Sequence, residues 1–244
     1  MADSGIRFSI AAQAAWAPGV ETPEAWLGWA AGRREIGGDA EPALRAMAPM
    51  LRRRAGVLDR MALEVAYQCL GSRVGVPAIF CSRHGETSRS VDLLTDLAKG
   101  LPLSPTMFGL SVHNATGGLF SIAGRDHAGS GALAAGPSSV EHAVIEGCGL
   151  LADGASEVLL VVYDRPLPAI YAAFDDRHAQ PFAWAWLMQA PASDVVSLSW
   201  SASTEVQPEG ELSPGLEVLR FYLRQDRRLQ RLCQRRRWLW ARDV

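Results

Sequence analysis

Residues 103–163 constrain the fold of this chain more than any other stretch. They contain an apolar segment over residues 108–122 that is rich in small side chains and fits a buried helix. After it come a glycine-rich link, a short strand, an elbow at Ala135-Gly136-Pro137, an amphipathic helix and the apolar run VLLVVY. A run that is apolar at every position is typical of a strand covered on both faces. The stretch therefore predicts an α/β fold in which the elbow joins the end of a strand to the start of a helix.

Length and composition narrow the classes of function. The chain has 244 residues, 48% hydrophobic and 20% charged, so it can bury a sizeable core. A formal net charge of -2 gives no reason to expect nucleic acid as a partner. The four cysteines lack a CxxC spacing, which argues against a zinc site. We find no basic leader and no apolar run of ~18 residues, so we expect a cytoplasmic chain without membrane contact. We also expect neither a metal nor a cofactor.

Helical and strand patterns alternate along most of the chain. Thr22-Pro23-Glu24 is typical of a helix start, and an apolar stripe from Leu58 to Cys69 predicts a longer helix. Strands are expected at residues 6–15, 76–81, 131–135, 158–163, 182–189 and 195–203. This order predicts a mixed, mainly parallel sheet, whose last two strands are joined by a linker short enough for a hairpin.

The end of the chain differs in character from the rest. We interpret residues 1–203 as one domain and residues 204–244 as a loop, a helix over residues 216–233 and a basic aromatic tail. The tail places Trp238 and Trp240 among arginines. As an amphipathic helix it is suited to docking on a partner or to a solvated face, and less well suited to a membrane surface.

Arg83-His84-Gly85 follows an apolar strand and matches the signature of histidine phosphatases. That chemistry needs a second histidine, an acid for the leaving group and arginines around the phosphate. The remaining histidines are His113, His127, His142 and His178, and none has the strand-end context of a partner histidine. A hydrolase that uses His84 is the alternative function, while a polar loop with ion pairs explains the same residues.

The order of elements in residues 103–163 resembles the N-terminal half of β-ketoacyl synthases. The matching motifs are Ser104-Pro105 with Phe108, Asn114 before Gly117-Gly118, the elbow with Ser138-Ser139, and Gly154-Ala155-Ser156-Glu157 before VLLVVY. The segments SVHNATGG, SRHGE and LLVVYD are similar to those of stand-alone proteins described as chain-length factors, which accompany aryl-polyene and related type II fatty-acid or polyketide gene sets. The resemblance covers most of residues 5–200. It implies a thiolase-like half, a single αβαβα-type layered unit, with a C-terminal helical appendage.

The resemblance also implies a subunit that does no chemistry. In the family the elbow carries a nucleophilic cysteine, and two histidines of a C-terminal half assist decarboxylation. Here the nucleophile position falls on Gly136 or Pro137, and neither side chain can form a thioester. An active ketosynthase, with its own cysteine and histidines, is the partner that the resemblance implies.

Pairing in this family uses the strand before the elbow and the adjacent helix, so we expect a partner-facing wall of the acyl tunnel in residues 108–115, the wall segment. Its candidate residues are Phe108, Ser111, Val112, His113, Asn114 and Ala115. His113 and Asn114 either hydrogen-bond across the interface or form an internally satisfied polar pair. An acidic acyl carrier protein is expected to reach the complex, drawn by arginines near the C-terminus. These are Arg224, Arg227, Arg228, Arg231 and Arg235.

Overall fold

The computed structural model describes residues 5–175, 179–205 and 211–243. The strands in these ranges are β1 (Gly5–Trp16), β2 (Ala78–Cys81), β3 (Ser130–Leu133), β4 (Glu157–Asp164), β5 (Phe182–Gln189), β6 (Val195–Ala202), β7 (Arg228–Cys233) and β8 (Arg236–Asp243). The helices are α1 (Pro23–Ala30), α2 (Pro49–Arg52), α3 (Val57–Leu70), α4 (Thr87–Ala98), α5 (Pro105–Gly109), α6 (Ala115–Gly124), α7 (Ser139–Ala152) and α8 (Pro214–Arg224). Two 3₁₀ turns lie at Gly136–Ser138 and Ala169–Phe174.

The strands of the described residues form one mixed sheet in the order β3-β2-β4-β5-β1-β6-β8-β7. The predicted α/β class is confirmed, but the expectation of a mainly parallel sheet is wrong. Only β3–β2 and β2–β4 are parallel, and every later neighbour pair is antiparallel. The suggested β5–β6 hairpin is also wrong, because the long N-terminal strand β1 inserts between these two strands and pairs with both.

Helices cover the sheet on both faces, so the chain by itself contributes three layers, helix–sheet–helix. In β4, Val158, Leu160 and Val162 pack into one core together with α1, α7 and α8. Leu159, Val161 and Tyr163 alternate with them and pack against α3 and α6 on the opposite face. The uniformly apolar VLLVVY run is therefore buried on both faces, as its sequence predicts.

Two helix starts follow from local chemistry. The hydroxyl of Thr22 accepts a hydrogen bond from the amide of Ala25 at 3.2 Å, which confirms the predicted cap of α1. At the start of α3, Asp59 reaches back to accept from the amide of Gly56 at 3.0 Å. The apolar stripe of α3 then lies against the sheet, as predicted.

The C-terminal prediction of a helix over residues 216–233 is wrong. Helix α8 ends at Arg224, and Gln225 takes a left-handed backbone conformation with a φ of +57°. The chain then forms the antiparallel strands β7 and β8, which extend the sheet next to β6. Instead of a helical appendage, this segment adds one helix and a β-hairpin to the sheet of the preceding residues.

The tryptophans of the predicted tail are buried. Trp238 and Trp240 occupy alternate positions of β8 and are fully shielded from solvent within the core. A period of two thus explains the RRWLWARD pattern, in which tryptophans face inward and the intervening residues face outward. Because these side chains are in the core, they are not available to a membrane surface. In the described ranges, no helix is long and apolar enough to cross a bilayer.

Candidate functional site

The elbow lies between the parallel edge strand β3 and helix α7. Gly136 has a φ of +59°, a left-handed conformation that suits glycine, and it opens the 3₁₀ turn that leads into the helix. The hydroxyl of Ser139 accepts from the amide of Ala135 at 2.9 Å and donates to the carbonyl of Gly136 at 2.7 Å. The predicted strand–elbow–helix arrangement is therefore present, with Gly136 and Pro137 at its apex.

The C-terminal hairpin fixes the elbow from outside. Arg231 is buried, donates to the carbonyl oxygen of Pro137 at 3.0 Å, and forms ion pairs with Glu141 of α7 and Glu217 of α8. Glu141 also accepts from the indole of Trp240 at 3.3 Å. Arg231 was predicted to contribute to a surface for acyl carrier protein. That assignment is wrong, because its guanidinium is enclosed and bonded to the elbow.

Little free space adjoins the elbow. A cavity of about 30 Å³ is lined by residues that include Cys81, Gly136 and Ser139. The cavity also reaches the ends of β2 and β4 and the start of α7. Gly136 and Pro137 present no thiol to it.

The wall segment breaks the helix that was predicted over residues 108–122. Helix α5 ends at Gly109 and α6 begins at Ala115, with turns between them. Phe108 is 64% exposed and Val112 is 45% exposed, whereas Ala115 is buried. The hydroxyl of Ser111 donates to the carbonyl of Phe108 at 2.8 Å, a contact within the segment.

Most large apolar side chains that are exposed in the described residues lie between positions 94 and 122. They are Leu94, Leu97, Leu101, Leu103, Met107, Phe108, Val112 and Ile122. Scattered exposed apolar residues are ordinary, but a concentration of this kind is typical of a surface that contacts another molecule. The wall segment lies in the middle of this stretch of sequence, whose exposed apolar side chains are here termed the apolar surface.

His113 and Asn114 differ in their contacts, and only His113 has a side-chain hydrogen bond within the described residues. The Nε2–H of His113 donates to the carbonyl oxygen of Ser82 at 2.8 Å. Asn114 is exposed and precedes α6 without a side-chain capping bond. The two candidate residues are therefore separated in function: His113 anchors the segment to the end of β2, and Asn114 faces outward.

Arg83-His84-Gly85 forms a tight joint at the end of β2. The amide of Arg83 donates to Asp164 at 3.0 Å, and the amide of Gly85 donates to the hydroxyl of Ser82 at 2.8 Å. A Cβ atom on Gly85, where φ is +61°, would lie 2.9 Å from the ring of His113. These contacts explain the loop as packing between β2, β4 and the wall segment. His178, one of the histidines considered as a partner for His84, lies outside the described residues.

Asp59, Glu86, Arg89 and Thr116 form a buried polar cluster, here termed the Asp59 network. Arg89 donates to Asp59 at 2.9 Å and to the carbonyl of Arg54 at 2.9 Å, and its Nε lies 3.5 Å from Glu86. The hydroxyl of Thr116 donates to Asp59 at 2.7 Å. Burial raises the pKa of Asp59, and burial followed by the charge of Asp59 raises the pKa of Glu86 to about 7.

Sequence reasoning missed the Asp59 network and the contacts of Arg231. Asp59 stands three residues after Gly56, in the spacing of a helix cap, but its ionic partners come from distant parts of the chain. Glu141 and Arg231 are 90 positions apart and meet only because the hairpin folds onto α7. In the described ranges no group of three or more His, Cys, Asp or Glu side chains could hold a metal ion.

Comparison with known proteins gives the family. The model described as Beta-ketoacyl synthase, N-terminal domain, matches residues 26–241. The chain therefore belongs to the β-ketoacyl synthase family, and its fold is the thiolase-like fold of that family. A search of the curated proteins gave no match.

Solved structures agree with this assignment. A chain in the structure of a ketosynthase (ApeO) in complex with its chain length factor (ApeC) from Xenorhabdus doucetiae is 27% identical, with a TM-score of 0.81 over 97% of this chain and 99% of that chain. The ishigamide ketosynthase/chain length factor is 15% identical, with a TM-score of 0.64 over 81% of this chain and 68% of that chain. A β-ketoacyl synthase from Burkholderia phymatum STM815 is 11% identical, with a TM-score of 0.61 over 90% and 70%.

The family assignment bears on the histidine-phosphatase alternative. The four-residue match at Arg83 to Glu86 lies within a ketosynthase-like domain, and its backbone contacts serve the packing of that domain. His113 and His142 each bond a backbone carbonyl oxygen, that of Ser82 and that of Ser138 respectively. The family and the packing of this loop favour a ketosynthase-related function over a hydrolase that uses His84.

Proposed function

We propose that this chain is a non-catalytic, chain-length-factor-like subunit that pairs with an active β-ketoacyl synthase and shapes its acyl tunnel, in fatty-acid or polyketide biosynthesis of the aryl-polyene type. The observation that carries the proposal is a near-complete match in both directions, 97% of this chain and 99% of the matched chain in the ApeO–ApeC complex. The other two relatives described above extend well beyond this chain, which covers 68% and 70% of them.

The elbow supports a role without chemistry. Condensation by ketosynthases needs a thiol at the start of the helix, and Gly136-Pro137 provides none. The four cysteines are free, but Cys81 is fully buried and burial raises its pKa well above the usual value. A neutral, enclosed thiol is a poor nucleophile. Free cysteines also fit the reducing cytoplasm, where we expect the complex to work.

The sheet edge and the apolar surface support pairing. Strand β3 is an edge strand whose residues are mostly exposed, so one side of its backbone has no strand partner within the described chain. The wall segment precedes β3 along the chain, with α6 between them, and exposes Phe108 and Val112. A partner that adds to β3 and covers the wall segment would bury both the open backbone and the apolar side chains.

Tunnel length would then be set by steric exclusion. Each CH₂ group of a growing acyl chain gains ~0.8 kcal/mol when it enters an apolar tunnel. When the chain meets a side chain of the wall, further insertion costs about 1–3 kcal/mol through overpacking. The volume of Val112 and its neighbours would thus determine where extension stops, and no reactive group of this chain would be needed.

An acyl carrier protein would meet the complex at an exposed basic surface. Arg227 and Arg228 at one end of the C-terminal hairpin and Arg235 at its turn are exposed. A neighbour of low identity, AntDE:AntF, is described as a type II polyketide synthase acyl-carrier protein in complex with its ketosynthase. We propose the same kind of contact here, through long-range attraction to an acidic carrier protein.

Product analysis tests this function. The chain is reconstituted with the ketosynthase encoded beside it, and product lengths are measured by mass spectrometry for wild type, Val112→Trp and Val74→Trp. Val74 is an exposed valine outside the apolar surface and serves as the matched control. We expect Val112→Trp to shorten the products and Val74→Trp to leave them unchanged. Unchanged product lengths in a stable Val112→Trp complex would contradict the tunnel-wall role.

A further inference from the structure

Three polar side-chain contacts join the wall segment and its two flanks to the body of the chain. Just before it, the sulfur of Met107 lies 4.0 Å from Arg89 Nη1. Just after it, the hydroxyl of Thr116 donates to Asp59. The third attachment is the bond from His113 to Ser82. Between these points Leu110 packs against the core that α3 and α6 share, whereas Phe108 and Val112 are exposed.

The two flanks of the wall segment meet in the Asp59 network. Asp59 lies in the first turn of α3, Arg89 in the first turn of α4 and Thr116 in the first turn of α6. Side chains from the first turns of three helices therefore meet at one buried carboxylate. Asp59 and Arg89 are both held inside the protein, with side chains 0% and 8% exposed.

Glu86 adds a second carboxyl group to a network in which Arg89 is the cation. Its side chain is 7% exposed and shares Arg89 with Asp59, while its Oε1 atom has no hydrogen-bond partner among the described residues. A Cβ atom on Gly56 would lie 3.0 Å from this oxygen and 2.8 Å from Arg89 Nη2, so the helix start is packed directly against the ion pairs. Such a closely fitted polar cluster specifies one arrangement of the elements that contribute to it.

We infer that Asp59, Arg89 and Thr116 are positioning residues for the wall segment, which they hold at both flanks in one geometry. All three side chains are buried within this chain. They act through Met107 and through the start of α6, and so set where Phe108 and Val112 stand. The consequence for chain length rests on the proposed function, whereas the holding of the segment is a property of this chain alone.

Hydrogen–deuterium exchange on the full chain tests the inference without the partner. Thr116→Val keeps the shape of the side chain and removes the donor to Asp59, and Thr116→Ser restores the donor. Thr95→Val makes the same change at an exposed position of α4. We expect peptides covering the wall segment to exchange at least about ten-fold faster in Thr116→Val, with β4 and β5 unchanged and with wild-type rates in the two controls.

Unaltered exchange of the wall segment in Thr116→Val would overturn the inference. Equal acceleration in Thr116→Val and Thr116→Ser would overturn it as well, because the hydroxyl would then be irrelevant. If Thr116→Val does not fold, Met107→Ala serves as the second variant, since it removes the contact through which Arg89 reaches the other flank. A local increase confined to the wall segment is expected there too, and its absence would count against the inference.

The heterodimer gives the second readout. We expect Thr116→Val to change the distribution of product lengths made with the ketosynthase, and Thr116→Ser to restore it. If no heterodimer forms with wild type, the proposed function fails while the exchange result still decides the positioning role. If the heterodimer forms and the exchange result is as expected but product lengths do not change, the wall segment is positioned by this network without setting chain length, which overturns the functional part of the inference.

Discussion

Arg89 and Asp59 form an ion pair at 2.9 Å in which neither side chain has more than marginal contact with solvent. The pair joins the first turns of α3 and α4, and Thr116 and Glu86 extend it to α6 and to the loop after β2. A buried pair is weak evidence for stability, because desolvation opposes the Coulombic gain. Replacing only one partner of the pair is strongly destabilising, because the remaining charge stays buried without compensation.

Replacement of Arg89 is expected to destabilise the protein strongly. Arg89→Met leaves Asp59 and Glu86 buried without a cation, and we expect the free energy of unfolding to fall by about 3–5 kcal/mol. Urea denaturation measures this change. Arg73→Met is the matched control, because Arg73 pairs with Glu157 at the surface and its side chain is 42% exposed. The control should lose no more than about 1 kcal/mol. Equal losses in the two variants would contradict a special role for the buried pair.

Glu86 makes the stability depend on pH. Burial raises its pKa from the usual 4.5 to about 7 in the folded chain. Between these values the folded state binds more protons than the unfolded state, so the free energy of unfolding falls as the pH rises from about 4.5 to 7. We expect this contribution to be about 1–3 kcal/mol. Denaturation at a series of pH values measures it.

The control for this titration is a pair of variants. Glu86→Gln removes the titrating group, so the loss of stability across this pH range should become smaller. Glu146→Gln replaces an exposed glutamate of α7 and should leave the profile unchanged. The prediction is contradicted if the stability of the wild type is flat or rises from pH 4.5 to 7 and Glu86→Gln behaves in the same way. The Glu86 carboxyl group would then not titrate in this range.

Local signals predicted the first part of the fold well. The cap at Thr22, the stripe of α3 and the doubly buried strand β4 depend on residues close in sequence, and the structure has all three. The sheet order depends on contacts between distant residues. The insertion of β1 between β5 and β6 has no counterpart in any local pattern, so a hairpin was the natural but wrong prediction.

The C-terminal hairpin shows a different limit. Its turn is formed by Gln234 and Arg235, both with positive φ and neither a glycine, so the usual sequence signal for a tight hairpin is absent. The alternation of Trp238 and Trp240 was a strand signal that the arginines concealed. At the candidate site, the elbow was accessible from sequence, whereas the break between α5 and α6 was not. The Asp59 network was not, because its members are brought together only by the packing of three helices.

A substitution at Gly215 tests how closely α8 packs against the sheet. A Cβ atom at this position would lie 2.5 Å from the ring of Phe182, which is buried in β5. The ring cannot move without disturbing the core, so Gly215→Ala should lower the free energy of unfolding by about 1–3 kcal/mol. Gly149→Ala in α7 meets no atom within 4 Å and should stabilise by about 0.5–1 kcal/mol. Thermal unfolding of both variants checks the opposite signs.

The apolar surface gives a test of the proposed interface. Phe108→Glu places a charge where we expect the partner to bury an aromatic ring, and a full burial of such a side chain contributes about 1.5–3 kcal/mol. We therefore expect the dissociation constant of the complex to rise at least about ten-fold. Ile170→Glu changes an exposed residue far along the chain from the wall segment and is the control. Calorimetry or surface binding measures both constants, and equal effects would place the interface elsewhere.

The most direct test of the central claim is whether this chain and a ketosynthase form one particle. The two are co-expressed with a tag on this chain alone, purified, and analysed by gel filtration with mass measurement of the main peak. The account predicts a stable 1:1 complex in which only the ketosynthase cysteine is acylated by substrate. Independent elution of the two proteins, or acylation of this chain, would contradict it.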